Sequence, residues 1–472
     1  MDDAGGKETL VTFRANQGLD MRGSLLRVSQ HQIVFETYAA TTVLRLSEVL
    51  EELKLFVNGQ LLYVGRGIVT NLIHSGVALV CEAQLQEAWF NPELVYAGLS
   101  PERLHAEFDG FFLDWQKHFL VRREYRLFVS ELQSFFHDLR LWLEHIELGL
   151  RSMPSSDSHS REQELSQELG PRALSVFTSF VDRFEELGAS LEPETVPAHQ
   201  AYMRRQLHPL VLCAPWVYRT VTKPLGYAGD YEMVNMMFRN AFEGASLFAK
   251  VVNFCFLHQG AVLSHRNRID YLVQKLVAED LRLRRAGRGL RVFSLGCGPA
   301  VEVQRFLADR PPGNEASFDL LDFNEETLQY ARSAVESAAR KNGSAPTVRP
   351  IKKSIAAIIK ESSRSSPNSS AAQYDLIYCA GLFDYLTDQV CRRLLDAAFN
   401  RLAPGGLLVA TNVTPANPHR RGMEHILDWN LVYRDAQRMR GLRPAAAPEE
   451  LDACSDLSGV NIWIEIRKPS HE

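Results

Sequence analysis

The chain has little that would tie it to an oxidising compartment, a metal or a membrane. Its 7 cysteines, at 81, 213, 255, 297, 379, 391 and 454, are odd in number, scattered, and include no Cys-x-x-Cys pair. Neither a disulfide framework nor a metal site is expected. No apolar run reaches the ~20 residues that a membrane helix needs, and the start, MDDAGGKETLVTFRANQG, is polar and acidic with no leader-like apolar core. A cytoplasmic protein without a membrane span is expected. Positive charge is not in excess either, since 52 Lys and Arg stand against 57 Asp and Glu for a formal net charge of −5. Nucleic-acid binding needs clustered positive charge along a groove, so nucleic acid is not an expected partner. The local exception, LRLRRAGRGLR with Arg282, Arg284, Arg285, Arg288 and Arg291, suits a helix end, whose dipole favours cations.

What is present is a chain of 472 residues, 46% hydrophobic, long enough for two or three domains. Residues 292–301, VFSLGCGPAV, are its most informative stretch. An apolar run ends in Gly296-Cys297-Gly298 and leads into VEVQRFLADR, which predicts strand, tight turn and helix start. Glycines permit positive φ and close ligand approach, and the helix start offers unpaired N–H groups. The next apolar run, SFDLLDFNEETLQYA, ends in Asp322 just before another amphipathic helix. A carboxylate there can accept both hydroxyls of a ribose, as in dinucleotide folds, or can cap the helix that follows.

Two cofactor classes compete for such a turn, a nicotinamide or flavin dinucleotide and S-adenosylmethionine. Val301 stands where a dinucleotide fingerprint has its third glycine, which weakens the pyrophosphate reading. Downstream, QYDLIYCAGLFDYL predicts a strand from Tyr374 to Cys379, and RLAPGGLLVATNV a Pro404-Gly405-Gly406 turn and a further strand. In GVNIWIEIRK, Val460, Ile462, Ile464 and Ile466 alternate as a final strand requires.

In this order LGCGPA, LLDFN, YDLIYCAGLFDYL and LAPGGLLVATNV resemble the class I S-adenosylmethionine-dependent methyltransferases over residues 286–472. That resemblance implies an α/β Rossmann-like domain with a seven-stranded sheet whose last strand is antiparallel, and S-adenosyl-L-methionine as cofactor. It also implies that Gly296, Cys297 and Gly298 face the methionine part, Asp322 the ribose, and Phe323, Asn324, Ser354 and Ile355 the adenine. Cys379, Ala380 and Gly381 would stand where methyl donor and acceptor meet. The two pocket cysteines are read as small apolar filler rather than reactive thiols.

Ahead of this domain, residues 1–97 carry short alternating stretches separated by turns, which predicts a small β-barrel. The segment resembles a PilZ domain with Arg22 and Arg27 near its first strand. Where the second PilZ motif belongs, Arg27-Val28-Ser29-Gln30-His31-Gln32 lacks both the acid or amide and the glycine. Cyclic di-GMP is therefore not expected, and the barrel is read as a degenerate one that packs on its neighbour or makes homodimer contacts.

Residues 98–285 turn helical, with Phe108, Phe111, Phe112, Trp115, Phe119, Phe128, Phe135, Phe136 and Trp142 at helical spacings that suit a core. The polar stretch RSMPSSDSHSREQ, 151–163, reads as a linker, and ESSRSSPNSS, 361–370, as a surface insertion. Lys223-Pro224-Leu225-Gly226-Tyr227-Ala228-Gly229-Asp230-Tyr231-Glu232 crowds two tyrosines and two acids around helix breakers, as a pocket-lining loop would. Asp230 is equally a helix cap there. Tyr227, Asp230 and Tyr231 are the expected catalytic residues. An anionic acceptor would meet Arg266 or Arg268, of which Arg266 is preferred. In TNVTPANPHRRGMEHILDWNLVYR, Arg420, Arg421, Glu424, Trp429, Tyr433 and Arg434 offer a charged clamp and an aromatic wall, with Trp429, Tyr433 and Arg434 the expected acceptor contacts.

The barrel-like start, KPLGYAGDYEMVNMMF and MEHILDWNLVYR together resemble the bacterial family that makes 3-hydroxypalmitic acid methyl ester, a quorum-sensing fatty acid methyl ester signal. The resemblance implies O-methylation of a 3-hydroxy fatty acid carboxylate. Such an acceptor is ionised at neutral pH and needs positioning rather than a base. A phenol or amine acceptor would need one, from Asp230, Glu232, Asp384 or His425. A third reading is a catalytically inactive S-adenosylmethionine or nucleotide sensor.

Overall fold

The computed structural model describes residues 10–15, 20–29, 31–37, 44–57, 60–75, 78–86, 121–309, 316–364, 373–449 and 451–470. Six strands, β1 (Leu10–Arg14), β2 (Asp20–Ser29), β3 (Gln32–Thr37), β4 (Val49–Val57), β5 (Gln60–Ser75) and β6 (Ala78–Leu85), close into a barrel in the order β1-β2-β3-β6-β5-β4. The period of two is visible in β1 and β3, where Val11, Phe13, Ile33 and Phe35 point inward and their neighbours are partly exposed. Closure leaves no unpaired edge.

A helical layer follows: α1 (Arg123–Arg151), α2 (Ser155–Ala189), α3 (Val196–Val211), α4 (Pro215–Thr222), α5 (Tyr231–Phe238), α6 (Leu247–Leu257) and α7 (Gly260–Arg284). In α1 the buried side chains Tyr125, Phe128, Val129, Leu132, Phe136 and Leu143 recur on one face. They pack with Phe177, Trp216 and Phe256, and with Met423, Ile426 and Trp429 from far along the chain. The expected linker at 151–163 is corrected here. Only residues 152–154 separate α1 from α2, because Leu165 and Leu169 pack on this core and extend helical order back through the polar run to Pro154 at the cap. Phe108, Phe111, Phe112, Trp115 and Phe119 lie outside the described residues; of the other aromatic positions, Phe128 and Phe136 are buried and Trp142 is exposed.

The last third of the chain alternates strand and helix: β7 (Leu290–Leu295), α8 (Val301–Ala308), β8 (Ala316–Asp322), α9 (Glu325–Lys341), β9 (Thr347–Lys352), α10 (Ile355–Arg364), β10 (Tyr374–Cys379), α11 (Asp388–Asn400), β11 (Leu402–Val413), α12 (Arg420–His425), α13 (Ala436–Arg440), β12 (Asp452–Ser455) and β13 (Asn461–Arg467). The polar run at 361–370 begins as the last turn of α10, and its remainder lies outside the described residues. The strands form one sheet in the order β12-β13-β11-β10-β7-β8-β9. β7, β8, β9, β10 and β11 pair in parallel, and β13 is antiparallel to β11. β10 is buried at all six positions, as expected of a strand covered on both faces. Separate apolar clusters fill the two faces. This strand order, with its reversed last strand, is the Rossmann-like arrangement of class I methyltransferases.

Among the described residues no single helix is long and apolar enough to cross a membrane, although α6 and α7 pass the test as a pair bent by 61°. The apolar side chains of α6 and the start of α7 pack in the helical core, and Tyr271, Leu272, Leu276 and Leu283 of α7 pack on the sheet.

Candidate functional site

In an open parallel sheet, loops diverge to opposite faces where the strand order reverses, and they leave a crevice beyond the strands' carboxyl ends. Here that point lies between β7 and β10, and the crevice beyond β7, β8 and β10 is a pocket. Its floor is the glycine turn. Gly296 and Gly298 hold φ of 69° and 51°, and the N–H groups of Gly296 and Cys297 both donate to the Leu321 carbonyl at 2.9 Å, which locks the turn to the end of β8. A Cβ at Gly298 would meet no atom within 4 Å, so the turn presents bare backbone to open space there, whereas a Cβ at Gly296 would touch Leu382 at 3.4 Å. Buried Cys297 lines the pocket with its thiol pushed well up by burial, which fits filler rather than a nucleophile.

Asp322 stands beside the turn at 6% exposure, with the Asn324 N–H donating to its Oδ1 at 3.0 Å. Burial raises its pKa, opposed by backbone N–H groups and by the charge of Arg45. A buried carboxylate with spare lone pairs facing a cavity is suited to accept hydroxyl donors. Phe323 and Ile355 line the same end. Asn324 and Ser354 do not, because each caps a helix: the Asn324 Oδ1 accepts the Thr327 N–H at 2.9 Å, and the Ser354 Oγ accepts the Ala357 N–H at 3.2 Å.

The opposite end is made by side chains. Ala380 and Gly381 line it, whereas Cys379 is buried behind them. Arg268 reaches in from α7 at 7% exposure; its Nη1 is 3.8 Å from Asp384 Oδ2, and among the described residues neither its Nε nor its Nη1 has a hydrogen-bond partner. A Cβ on Gly381, where φ is 82°, would come within 2.9 Å of that Nη1. Arg266, the preferred arginine, does not line the pocket: two residues along a helix is a turn of roughly 200°, and its Nε donates to the Met237 carbonyl at 2.9 Å. His265 also faces the pocket. Its Nδ1 is 2.8 Å from the Ala261 carbonyl, which can only accept, so Nδ1 carries the proton and Nε2 keeps its lone pair. Burial and the charge of Arg268 hold this ring neutral, with its pKa pushed down to about 3.

Of the four bases named from sequence, Asp384 alone lines the pocket. Its Oδ1 accepts the Val413 N–H at 2.7 Å, and burial lifts its pKa to about 6 against the pull of Arg268. Glu232 bonds Asn235 and pairs with Arg239, and His425 is buried against the Tyr125 hydroxyl at 2.8 Å.

The three expected catalytic residues separate. Tyr227 lines the pocket, its ring 5.2 Å from that of Phe323. Asp230 does not line it: its Oδ1 caps α5 by accepting the Met233 N–H at 2.8 Å, and both its oxygens accept Arg219 Nε at 2.8 and 3.0 Å. Tyr231 turns outward and donates to Glu326 Oε1 at 2.7 Å. Trp429, Tyr433 and Arg434, the expected acceptor contacts, do not line the pocket either. Trp429 lies behind the pocket and donates from Nε1 to the Tyr385 hydroxyl at 2.9 Å. Tyr433 is buried under the Arg420 guanidinium at 4.4 Å, and Arg420 and Arg421 both pair with Glu424. Arg434 is fully buried and donates to Asp388, Asn412 and the Phe383 and Leu386 carbonyls, so it fixes the Phe383–Tyr385 turn from below.

Sequence reasoning missed His265, Tyr385 and Arg45. His265 and Arg268 are three apart on α7 and share a face, a spacing that was available. Arg45 was not. It precedes β4, and its guanidinium sits 4.4 Å over the Phe323 ring. Arg22 and Arg27 are on β2, exposed, with Arg27 3.6 Å from Glu82.

No family model matches the chain, and no curated protein matches its sequence. Solved structures do. A possible exported protein from Bordetella parapertussis is 18% identical, covering 64% of this chain and 97% of its own, with a TM-score of 0.41. Magnesium protoporphyrin IX methyltransferase from Synechocystis PCC 6803, with S-adenosylhomocysteine bound, is 13% identical over 44% of this chain and 84% of its own, TM-score 0.32. The N-methyltransferase NodS from Bradyrhizobium japonicum WM9, in complex with S-adenosylhomocysteine, is 17% identical over 42% and 86%, TM-score 0.29. These likenesses are too distant to assign chemistry, and the strand order carries the fold.

Proposed function

We propose that this protein is an S-adenosylmethionine-dependent methyltransferase acting on a small-molecule carboxylate, with a 3-hydroxy fatty acid as the acceptor to try first. The observation that carries the reading is the convergence, at the switch point of the sheet, of bare glycine backbone at Gly296 and Gly298 with the buried carboxylate of Asp322. Open backbone at one strand end and a ribose-type acceptor at the next fit a nucleoside with an amino-acid tail. Gly296 and Gly298 would face that tail, Asp322 the ribose, and Phe323 with Ile355 the purine. When bound, the cofactor supplies a methyl group on a positively charged sulfur.

The acceptor class rests on Arg268. A guanidinium that is buried with unmet donors costs free energy unless an anion completes it, and it faces the pocket beside Gly381. An ionised carboxylate brings its own nucleophilic oxygen, so Arg268 orients and no base is required. Too tight a pair would hold the attacking anion in its ground state; Asp384 at 3.8 Å shares the charge and loosens that grip. Tyr385 and Tyr227 exclude water.

A second reading is favoured by Asp384, which lines the pocket with its pKa lifted to about 6 and would take a proton from a hydroxyl or amine acceptor. Incubation of the protein with S-adenosylmethionine and a panel of 3-hydroxy fatty acids, phenols and amines, read by mass spectrometry, separates the two. A methyl ester supports the carboxylate reading. Ether or N-methyl products support the second, and no product from any acceptor, with cofactor bound, contradicts both.

A further inference from the structure

We infer that the N-terminal barrel is part of the cofactor site, with Arg45 as its direct contact to the nucleoside, so that barrel docking and cofactor binding are coupled. The inference rests on the cofactor reading above and adds a residue some 250 positions before the glycine turn.

The segment 44–47, just ahead of β4, keeps Leu44 and Leu46 in the barrel core and brings Arg45 and Leu46 to the pocket lining. Residues 46–49 are fastened to the rest of the chain at three places. The Leu46 N–H donates to the Tyr385 carbonyl at 3.1 Å, and the Val49 N–H to the Gly226 carbonyl at 2.8 Å. The Ser47 hydroxyl donates to the Asn430 carbonyl at 3.0 Å and accepts the Asn430 N–H at 2.7 Å. Ser47 holds φ at 57°, a left-handed conformation that a non-glycine residue keeps only where its surroundings enforce it. A tether that simply joined two bodies would not need this geometry.

Arg45 itself is 8% exposed, and its guanidinium lies over Phe323, the residue after Asp322. A guanidinium is a flat cation that stacks on rings and donates in its plane. Purine ring nitrogens and ribose oxygens are acceptors, so an arginine at this end can serve both ring and sugar while offsetting the buried Asp322 charge. If Arg45 is a ligand, reciprocity requires that the cofactor tighten the barrel's seat by as much as the seated barrel tightens the cofactor. Behind the rim a buried ionic cluster holds the same junction: Arg204 bonds Asp428 Oδ1 and Gln84, each at 3.0 Å, while Gln86 donates to Asp428 Oδ2 at 3.3 Å.

The test is calorimetric titration of the full chain with S-adenosylhomocysteine and with 5′-methylthioadenosine, which lacks the amino-acid tail. Arg45→Met keeps the stem over Phe323 and removes the donors; it is expected to weaken both ligands about 10-fold, or ~1.4 kcal/mol. Affinities within about twofold of the parent chain for both would overturn the inference. If the parent chain binds neither ligand, the cofactor reading itself fails, which is a separate outcome. Amide exchange of the unsubstituted chain needs no variant. Exchange across residues 46–57 should slow when S-adenosylhomocysteine is added, and unchanged exchange there with ligand bound overturns the coupling.

Discussion

The two ends of the pocket are built from different materials. At the Asp322 end, two neighbouring strand termini and a glycine turn do the work, and backbone hydrogen bonds hold them: Gly296 and Cys297 to Leu321, Asn324 to Asp322. At the Arg268 end, side chains from α7, the loop before α5 and the turn after β10 meet, and some of their polar atoms are left over, among them Nε and Nη1 of Arg268. A site finished by its own backbone is ready for one constant ligand. A site with unmet donors is waiting for a group that completes it, so under the proposed function the contrast separates the cofactor's end from the acceptor's.

Substitutions should respect that division. The largest effect is expected from Arg434→Ala, which leaves the Asn412 Oδ1 and the Phe383 and Leu386 carbonyls without their buried donor and Asp388 with Arg438 as its remaining cation. Removing one partner of a buried ionic network costs about 3–5 kcal/mol, read as a fall in urea midpoint; a loss below about 1 kcal/mol would mean that the turn is held by something else. Arg268→Met is expected to raise the KM for a carboxylate acceptor by ~10- to 100-fold, the scale of hydrogen bonds to a charged group, with 5′-methylthioadenosine affinity unchanged. An equal loss at both ligands would erase the distinction between the ends. Asp322→Ala should do the converse and weaken cofactor binding by about 1–3 kcal/mol.

The smallest effect is electrostatic. With its pKa lifted to about 6 from 3.8, Asp384 keeps its proton in the folded chain over a range where the unfolded chain has lost it. Its contribution to stability therefore falls as pH rises from about 4 to 6. Asp384→Asn keeps the acceptor for the Val413 N–H and removes this loss, so the variant should gain on the parent chain across that window in thermal melts. His265 acts in the opposite sense: its lowered pKa makes stability rise with pH between about 3 and 6.5. Parallel melts of His265→Asn should show the reverse trend, and coincident trends for the two variants would contradict the assignment of these groups to one buried end.

Legibility in the sequence followed the same line. The glycine turn was readable because it is a local pattern that only glycine permits, and Asp322 because it ends an apolar run; the sheet order was legible only as what the resemblance to class I methyltransferases implies. The barrel was readable from the alternation that buries Val11, Phe13, Ile33 and Phe35. At the acceptor end, residue types pointed to chemistry but not to direction. Asp230, Tyr231 and Arg434 have the composition of a site, yet each is consumed by a partner, respectively Arg219, Glu326 and Asp388. Helical phase would have separated Arg268 from Arg266. Nothing local marks Arg45, because its role is created by the barrel's seating on the sheet's crevice.

The most direct test of the account is calorimetric titration of S-adenosylhomocysteine into the full chain and into Asp322→Ala, side by side. Saturable binding at one site, weakened ~5- to 150-fold by the substitution, is the predicted result. Absence of binding to the unsubstituted chain, or equal affinity for both, would contradict it.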